Sequence, residues 1–362
     1  MPVGSQATVK SITPEEVQAA GGEMILCNSY HLYLRPGVDA IRAAGGLHAF
    51  MGWQGGIVTD SGGFQVFSLA GLRALDDNGV TFRSHIDGSE HRLTPETSVA
   101  IQEALGADII MALDDVPPAD ATDSRVREAV GRTHRWAERC LRAQTRDDQA
   151  LFAIVQGGRD HGLREYSARS LRALDCPGYA IGGLSVGEAK ETMYQVLAWT
   201  APLLPEGKPR YLMGVGAPED LVEAVSHGVD MFDCVLPTRV ARNGAIYTAK
   251  GRRNIRHASF RLQHGPLEMG CDCYTCRTFS AAYVHHLFRC EELLGYRLAT
   301  IHNLRFMHRL MEHIREAIRV GDLQEFKKEF ARTYRPSSEE ARLSHRRSRT
   351  RTTFHIDRNG LS

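Results

Sequence analysis

Cys271, Cys273 and Cys276 crowd into six residues with the spacing Cys-x-Cys-x2-Cys. Zinc takes four soft or borderline ligands in a tetrahedron, and thiolates and imidazoles are its usual donors. Three thiolates leave one place, and His302, His308 and His313 follow on one helical pattern. His302 is expected to fill it, because it stands where that helix should begin and the chain can approach the cysteine loop. A three-Cys, one-His set has no vacant position for water. One zinc ion per subunit is therefore expected to be structural, which disfavours a zinc hydrolase. Eight cysteines with three so close read as a metal site in a reducing cytoplasm, not as a disulfide framework.

Two carboxylates stand where chemistry is possible. Asp60 closes an apolar run in Thr59-Asp60-Ser61-Gly62-Gly63-Phe64-Gln65, where the glycine pair lets backbone amides approach a ligand. Capping of the next helix is the other reading of Asp60. Asp233 lies among apolar neighbours in Met231-Phe232-Asp233-Cys234-Val235. A carboxylate there needs a partner or a task, and Arg239 and Arg242 are the candidate partners. Two converging carboxylates can break a glycosidic bond, one as nucleophile and one as acid/base.

A third group suits a flat polar ligand. Asp114, Gln156 and Gly183 each end an apolar run. Asp accepts two hydrogen bonds, Gln donates and accepts, and a Gly-Gly backbone can approach a ring. A guanine edge, with two N–H donors and a carbonyl, complements that set.

Positioning these residues requires strands with their ends at one mouth. Short apolar runs at 23–30, 56–62, 107–115, 151–158, 179–185, 210–216 and 230–237 alternate with helical patterns at 94–105, 124–144, 162–174, 188–204 and 218–227. Alternation implies a parallel sheet, and runs apolar on both faces imply strands buried on both sides. Residues 1–4 read as the tail of an eighth strand. The fold expected is α/β, a (β/α)8 TIM barrel, since no GxGxxG follows the first strand as a dinucleotide fold would require. Residues 1–262 are expected to form the barrel. Residues 263–335, with helices at 280–294, 303–320 and 322–334, should form a zinc-binding subdomain, and 336–362 a mobile basic tail.

Composition adds limits. Apolar residues are 43% and charged residues 24%, as in ordinary globular proteins. The net charge of +1 gives no global basic field, yet arginines cluster at 239/242, 252/253/256 and 346/347/349/351, and their forks suit phosphate. No apolar run is long enough to span a membrane, and residues 1–4 are expected to be the interior of a fold and not a signal peptide.

Taken together these motifs resemble tRNA-guanine transglycosylase, the queuine tRNA-ribosyltransferases. The resemblance rests on the Asp60 motif, Val155-Gln156-Gly157-Gly158, Gly182-Gly183-Leu184-Ser185-Val186-Gly187, Tyr211-Leu212-Met213-Gly214-Val215-Gly216, the Asp233 motif through Pro237-Thr238-Arg239, and the cysteine cluster with His302. It runs from residue 1 to about 335. It implies a zinc-bearing barrel, a homodimer, and exchange of guanine at the wobble position of GUN-anticodon tRNAs for Asp, Asn, His and Tyr. The incoming base it implies is 7-aminomethyl-7-deazaguanine. Asp233 would be the nucleophile and Asp60 the general acid/base. Asp60, Ser61, Gly62, Gly63, Phe64, Asp114, Gln156, Gly183, Leu184 and Met213 would bind the base. Gly214, Val215, Gly216, Ala217, Pro218, Glu219 and Asp220, with Thr238, Arg239, Val240, Ala241 and Arg242, match segments that contact RNA. A non-catalytic tRNA-binding subunit of the same fold is the alternative, and retention of both aspartates favours the enzyme.

There are departures from the family pattern. The family carries a segment ahead of Met1, so an N-terminally truncated barrel is expected. Val116, where bacterial members often have Cys, resembles queuine-using enzymes, whereas Val186 resembles the bacterial form and should restrict room for queuine's bulk. Ala217 replaces a basic residue, and the tail extends past the usual end.

Overall fold

The structure, a computed structural model, describes residues 1–69, 71–118, 120–185 and 187–336. Val186 and all of the expected basic tail except Pro336 lie outside the described residues. Each expected strand run yields one strand: β1 (Met24–Cys27), β2 (Gly56–Thr59), β6 (Ile109–Met111), β7 (Ala150–Val155), β8 (Gly178–Ile181), β9 (Arg210–Leu212) and β10 (Met231–Phe232). They pair in the order β1-β2-β6-β7-β8-β9-β10, every pair parallel. Residues 1–4 lie between the two end strands. Leu26 N–H donates to Pro2 O at 3.0 Å, Gly4 N–H to Leu26 O at 2.7 Å, and Cys234 N–H to Met1 O at 3.2 Å. The curled sheet thereby closes as the expected barrel.

Side-chain alternation explains why it closes. Leu26, Val58, Met111, Phe152, Ile154, Ala180 and Tyr211 point inward and form one buried cluster with Val3. Their neighbours Ile25, Ile57, Ile110, Leu151, Ala153, Val155, Ile181 and Leu212 point outward against the helices. Period-two alternation between two apolar surroundings is what makes the runs apolar throughout. The Phe152 ring fills the interior so closely that a Cβ on Gly178 would stand 2.3 Å from it, so glycine is required there. Burying such a ring stabilises the barrel by roughly 2–3 kcal/mol.

Two small sheets and one helix differ from the sequence expectation. β3 (Gly71–Asp76), β4 (Gly79–Arg83) and β5 (Glu90–Leu93) form an antiparallel sheet, and β11 (Ala245–Thr248) pairs with β12 (Gly251–Asn254). The first sheet buttresses the helix Ser29–Leu34. Tyr30 packs on Phe82 with ring centroids 5.5 Å apart and shares a 2.8 Å hydrogen bond with His85. The expected helix start near 303 is corrected. One helix runs Leu293–Arg319, so His302 sits well inside it and not at its first turn. No helix among the described residues is long and apolar enough to cross a membrane.

Candidate active site and metal centre

All the strand-end residues singled out from sequence gather at the C-terminal mouth of the barrel. Asp60 follows β2 and is buried. Its Oδ1 accepts from Ser29 N–H at 2.9 Å and from Ser29 Oγ at 3.2 Å. Its Oδ2 accepts from Gln65 Nε2 at 2.8 Å and from Asn28 Nδ2. It does not cap the next helix. Burial pushes its carboxyl up to about 6; the hydrogen bonds from Asn28 and Ser29 oppose the rise, and the charge of Asp233 adds to it. Asp60 can therefore exchange a proton near neutral pH. Asn28 and Ser29 were not legible as its partners, and Gln65 stood inside the quoted motif without a role.

Asp233 follows β10 and is half-buried. Neither arginine named in advance is its partner. Tyr211, inward on β9, donates its hydroxyl to Oδ1 at 2.5 Å, and Gly214 N–H donates to the same oxygen at 2.8 Å. Burial and the facing carboxylates of Asp233 and Asp60 push the Tyr211 phenol well above its usual value, so it remains a donor. Among the described residues Oδ2 of Asp233 accepts no hydrogen bond. One oxygen is held and the other is open, which suits attack on an electrophilic carbon.

Asp114 and Gln156 form a second polar pair. Gln156 Nε2 donates to Asp114 Oδ2 at 2.7 Å, and Ser61 Oγ lies 3.5 Å from Oδ1. Burial pushes Asp114 up to about 7; Gln156 pulls the other way, and neighbouring Asp115 adds to the rise. Among the described residues Gln156 Oε1 is buried without a partner, an acceptor that a ligand N–H would satisfy. Gly183, at φ 67°, brings its backbone so near that a Cβ would stand 2.5 Å from Gln156 Oε1. Leu184 is buried beside it, Met213 is half-buried after β9, and Phe64 is exposed with Gly62 and Gly63 buried behind it. A cavity of about 480 Å³ opens along Gln156, Gly158, Gly183 and Leu184. Asp115 takes no part. It is clamped by Arg125 (2.8 and 2.5 Å) and Arg132 (2.5 Å) as a buried ion pair.

The two segments matched to RNA contacts meet around a neighbouring cavity of about 340 Å³, lined by Gly214, Gly216, Ala217, Asp220, Arg239 and Arg252 among others. Gly214 and Arg239 are exposed there, and Arg242 is half-buried with Nη1 donating to Thr238 O at 2.9 Å. Val215, Ala217, Pro218, Thr238, Val240 and Ala241 are buried. Lys190 holds both Glu219 (2.6 Å) and Asp220.

Away from the mouth, Cys271, Cys273, Cys276 and His302 converge with all donor atoms within 4.8 Å of one another. His302 Nδ1 lies 3.7, 3.7 and 3.4 Å from the three sulfurs. A tetrahedron with zinc–sulfur bonds of about 2.3 Å spaces its corners by roughly 3.5–3.8 Å, so the donors fit a zinc ion. His302 Nε2 is 2.8 Å from Tyr247 O. A carbonyl only accepts, so Nε2 carries the proton and Nδ1 presents its lone pair to the cluster. His308 is turned away, with Nδ1 2.8 Å from Ala20 O.

Residues 1–336 of the chain match the family model for queuine tRNA-ribosyltransferase. The chain belongs to the queuine tRNA-ribosyltransferase family. A family member from Dehalococcoides mccartyi is 58% identical over 342 residues, covering 94% of this chain and 87% of its own. Members from Pelotomaculum thermopropionicum and Moorella thermoacetica are each 59% identical over 334 residues, covering 92% of this chain and 90% of their own. Within this family member Tyr211 went unassigned from sequence. Its signal was its place in the Tyr211–Gly216 motif, two residues before the turn that reaches Asp233.

Proposed function

We propose that this protein is a tRNA-guanine transglycosylase that replaces guanine at the wobble position of tRNAs with GUN anticodons, those for Asp, Asn, His and Tyr, by double displacement. The observation that carries the reading is the half-held Asp233, facing the same mouth as the buried acid Asp60 and the Asp114–Gln156 pair. Asp233 Oδ2 attacks C1′ of the nucleotide as the C1′–N9 bond breaks. Protonated Asp60 supplies the proton that the departing guanine takes up. The incoming base then gives its N9 proton to Asp60, bonds to C1′, and releases Asp233. Two displacements return the anomeric configuration. The target base must leave the stack to reach Asp114, Gln156 and Gly183. Arg239 and Arg242 offer charge to the flanking phosphates.

In this reading the incoming base is 7-aminomethyl-7-deazaguanine. Residues 1–262 carry the chemistry, and residues 263–335 hold the zinc as a structural ion. The donor set supports the latter, since a closed Cys3His site would supply rigidity and no Lewis acid. The reading also includes a homodimer and a cytoplasmic location, where thiols stay reduced. Incubation of the protein with unmodified tRNA and radiolabelled guanine tests the activity. Label in the tRNA supports it, and its absence overturns it.

A further inference from the structure

Arg164 lies on the helix His161–Arg172 and is completely buried. Burial lowers its pKa to about 10, and the charge of Glu188 opposes that fall. Its guanidinium is spent on main-chain carbonyls: Nε donates to Gly158 O at 2.9 Å, and Nη1 donates to Val155 O at 3.0 Å and to Gly182 O at 2.9 Å. These oxygens belong to the last residue of β7 and to the turns after β7 and β8, where the strand ladder runs out. The ladder's last link, Gly182 N–H to Val155 O at 3.0 Å, ends on one of the carbonyls that Arg164 also binds. Among the described residues Nη2 is buried without a partner, and it lies 3.7 Å from where a Cβ on Gly183 would stand.

Taking a guanidinium out of water is unfavourable by several kcal/mol, and an apolar side chain would fill the space with a smaller penalty. What the apolar side chain lacks is a rigid planar fork that reaches three carbonyls at once. The turns so joined carry Gln156 and Gly183, and the Gly183 backbone holds a left-handed conformation. Their relative placement decides whether both can reach one flat ligand.

We infer that Arg164 is a positioning residue for the purine: it ties the Gln156 turn to the Gly183 turn and so sets affinity for the base without touching it. The inference rests on the purine-exchange reading. Guanine exchange by Arg164→Met and Arg164→Lys tests it in the full-length protein, with zinc content and thermal unfolding measured alongside. In folded Arg164→Met, KM for guanine should rise about tenfold or more, while kcat and KM for tRNA change by less than about threefold. Arg164→Lys keeps the charge and part of the donor set, so its KM for guanine should fall between wild type and Arg164→Met. If Arg164→Met does not fold, a raised KM for guanine alone in Arg164→Lys supports the inference. An unchanged KM for guanine in a folded variant overturns it. So does a common shift in both KM values and kcat, which a merely structural role would produce. Wild-type protein that exchanges no guanine overturns the purine-exchange reading itself, and this inference with it.

Discussion

The barrel mouth and the cysteine cluster are both buried polar sites, but their hydrogen-bonding books differ. In the cluster every donor faces one point, and His302 is oriented by the Tyr247 carbonyl. In the mouth, among the described residues, groups are left open: Oδ2 of Asp233, Oε1 of Gln156, and two carboxyls that burial lifts towards neutrality. A closed set suits a permanent occupant that stabilises the fold. An open set, held by Tyr211, Asn28, Ser29 and Arg164, suits ligands that come and go.

That contrast can be broken at several points. The largest effect should follow Asp233→Asn: exchange should fall at least about a thousandfold, with zinc content and unfolding temperature near wild type. Activity within about tenfold of wild type would remove the nucleophile from Asp233. Next comes the metal. Cys276→Ala, or stripping zinc with a chelator, should destabilise the protein by several kcal/mol and lower its melting temperature. An unchanged melting temperature with zinc gone would mean the cluster is not a structural site.

The acids sharpen the comparison through pH. Asp114 must be ionised to accept two N–H groups, and burial sets its pKa at about 7. KM for guanine should therefore rise as pH falls below about 7, approaching tenfold per pH unit, and Asp114→Asn should bind weakly at every pH. The same shift has a sign for stability. A carboxyl raised above its unfolded value of 3.8 favours folding at pH below about 4, and that contribution is lost as pH rises through about 7. Urea unfolding should thus show Asp114→Asn losing less stability than wild type between pH 5 and 8. The smallest effect is expected from Tyr211→Phe, which removes one of the two hydrogen bonds to Asp233 Oδ1: about tenfold in kcat, with melting temperature nearly unchanged.

The two regions also differed in what their sequences revealed. The cluster was legible because its ligands are local and chemically distinctive, with one exception. A helix start was expected at His302, and the continuous helix Leu293–Arg319 replaced it because apolar packing continues N-terminally through Leu298, Ala299 and Ile301. The strands were legible because β1, β2 and β6–β10 are apolar on both faces. β3–β5 were not, since their sequence mixes charged residues with short apolar alternation and distant side chains such as Tyr30, Tyr33 and Trp136 fix them. In the mouth, the acids stood out as carboxylates ending apolar runs. Their partners did not. Asn28 and Tyr211 reach Asp60 and Asp233 from other strands, and Arg164 reaches the carbonyls of the Gln156 and Gly183 turns from a helix, a matter of three-dimensional closure that no local spacing encodes. Asp115 shows the converse: identical to Asp114 in type and place, it is set apart by Arg125 and Arg132 from the next helix.

The central claim is that a covalent bond forms between Asp233 and the tRNA ribose. Protein mixed with unmodified tRNA, quenched in denaturant and digested with nuclease and protease, can be mapped by mass spectrometry. The account predicts a nucleotide-derived mass on the peptide containing Asp233, absent in Asp233→Asn and discharged when guanine is added before the quench. An adduct on the peptide containing Asp60, or none in protein that is exchanging guanine, would contradict it.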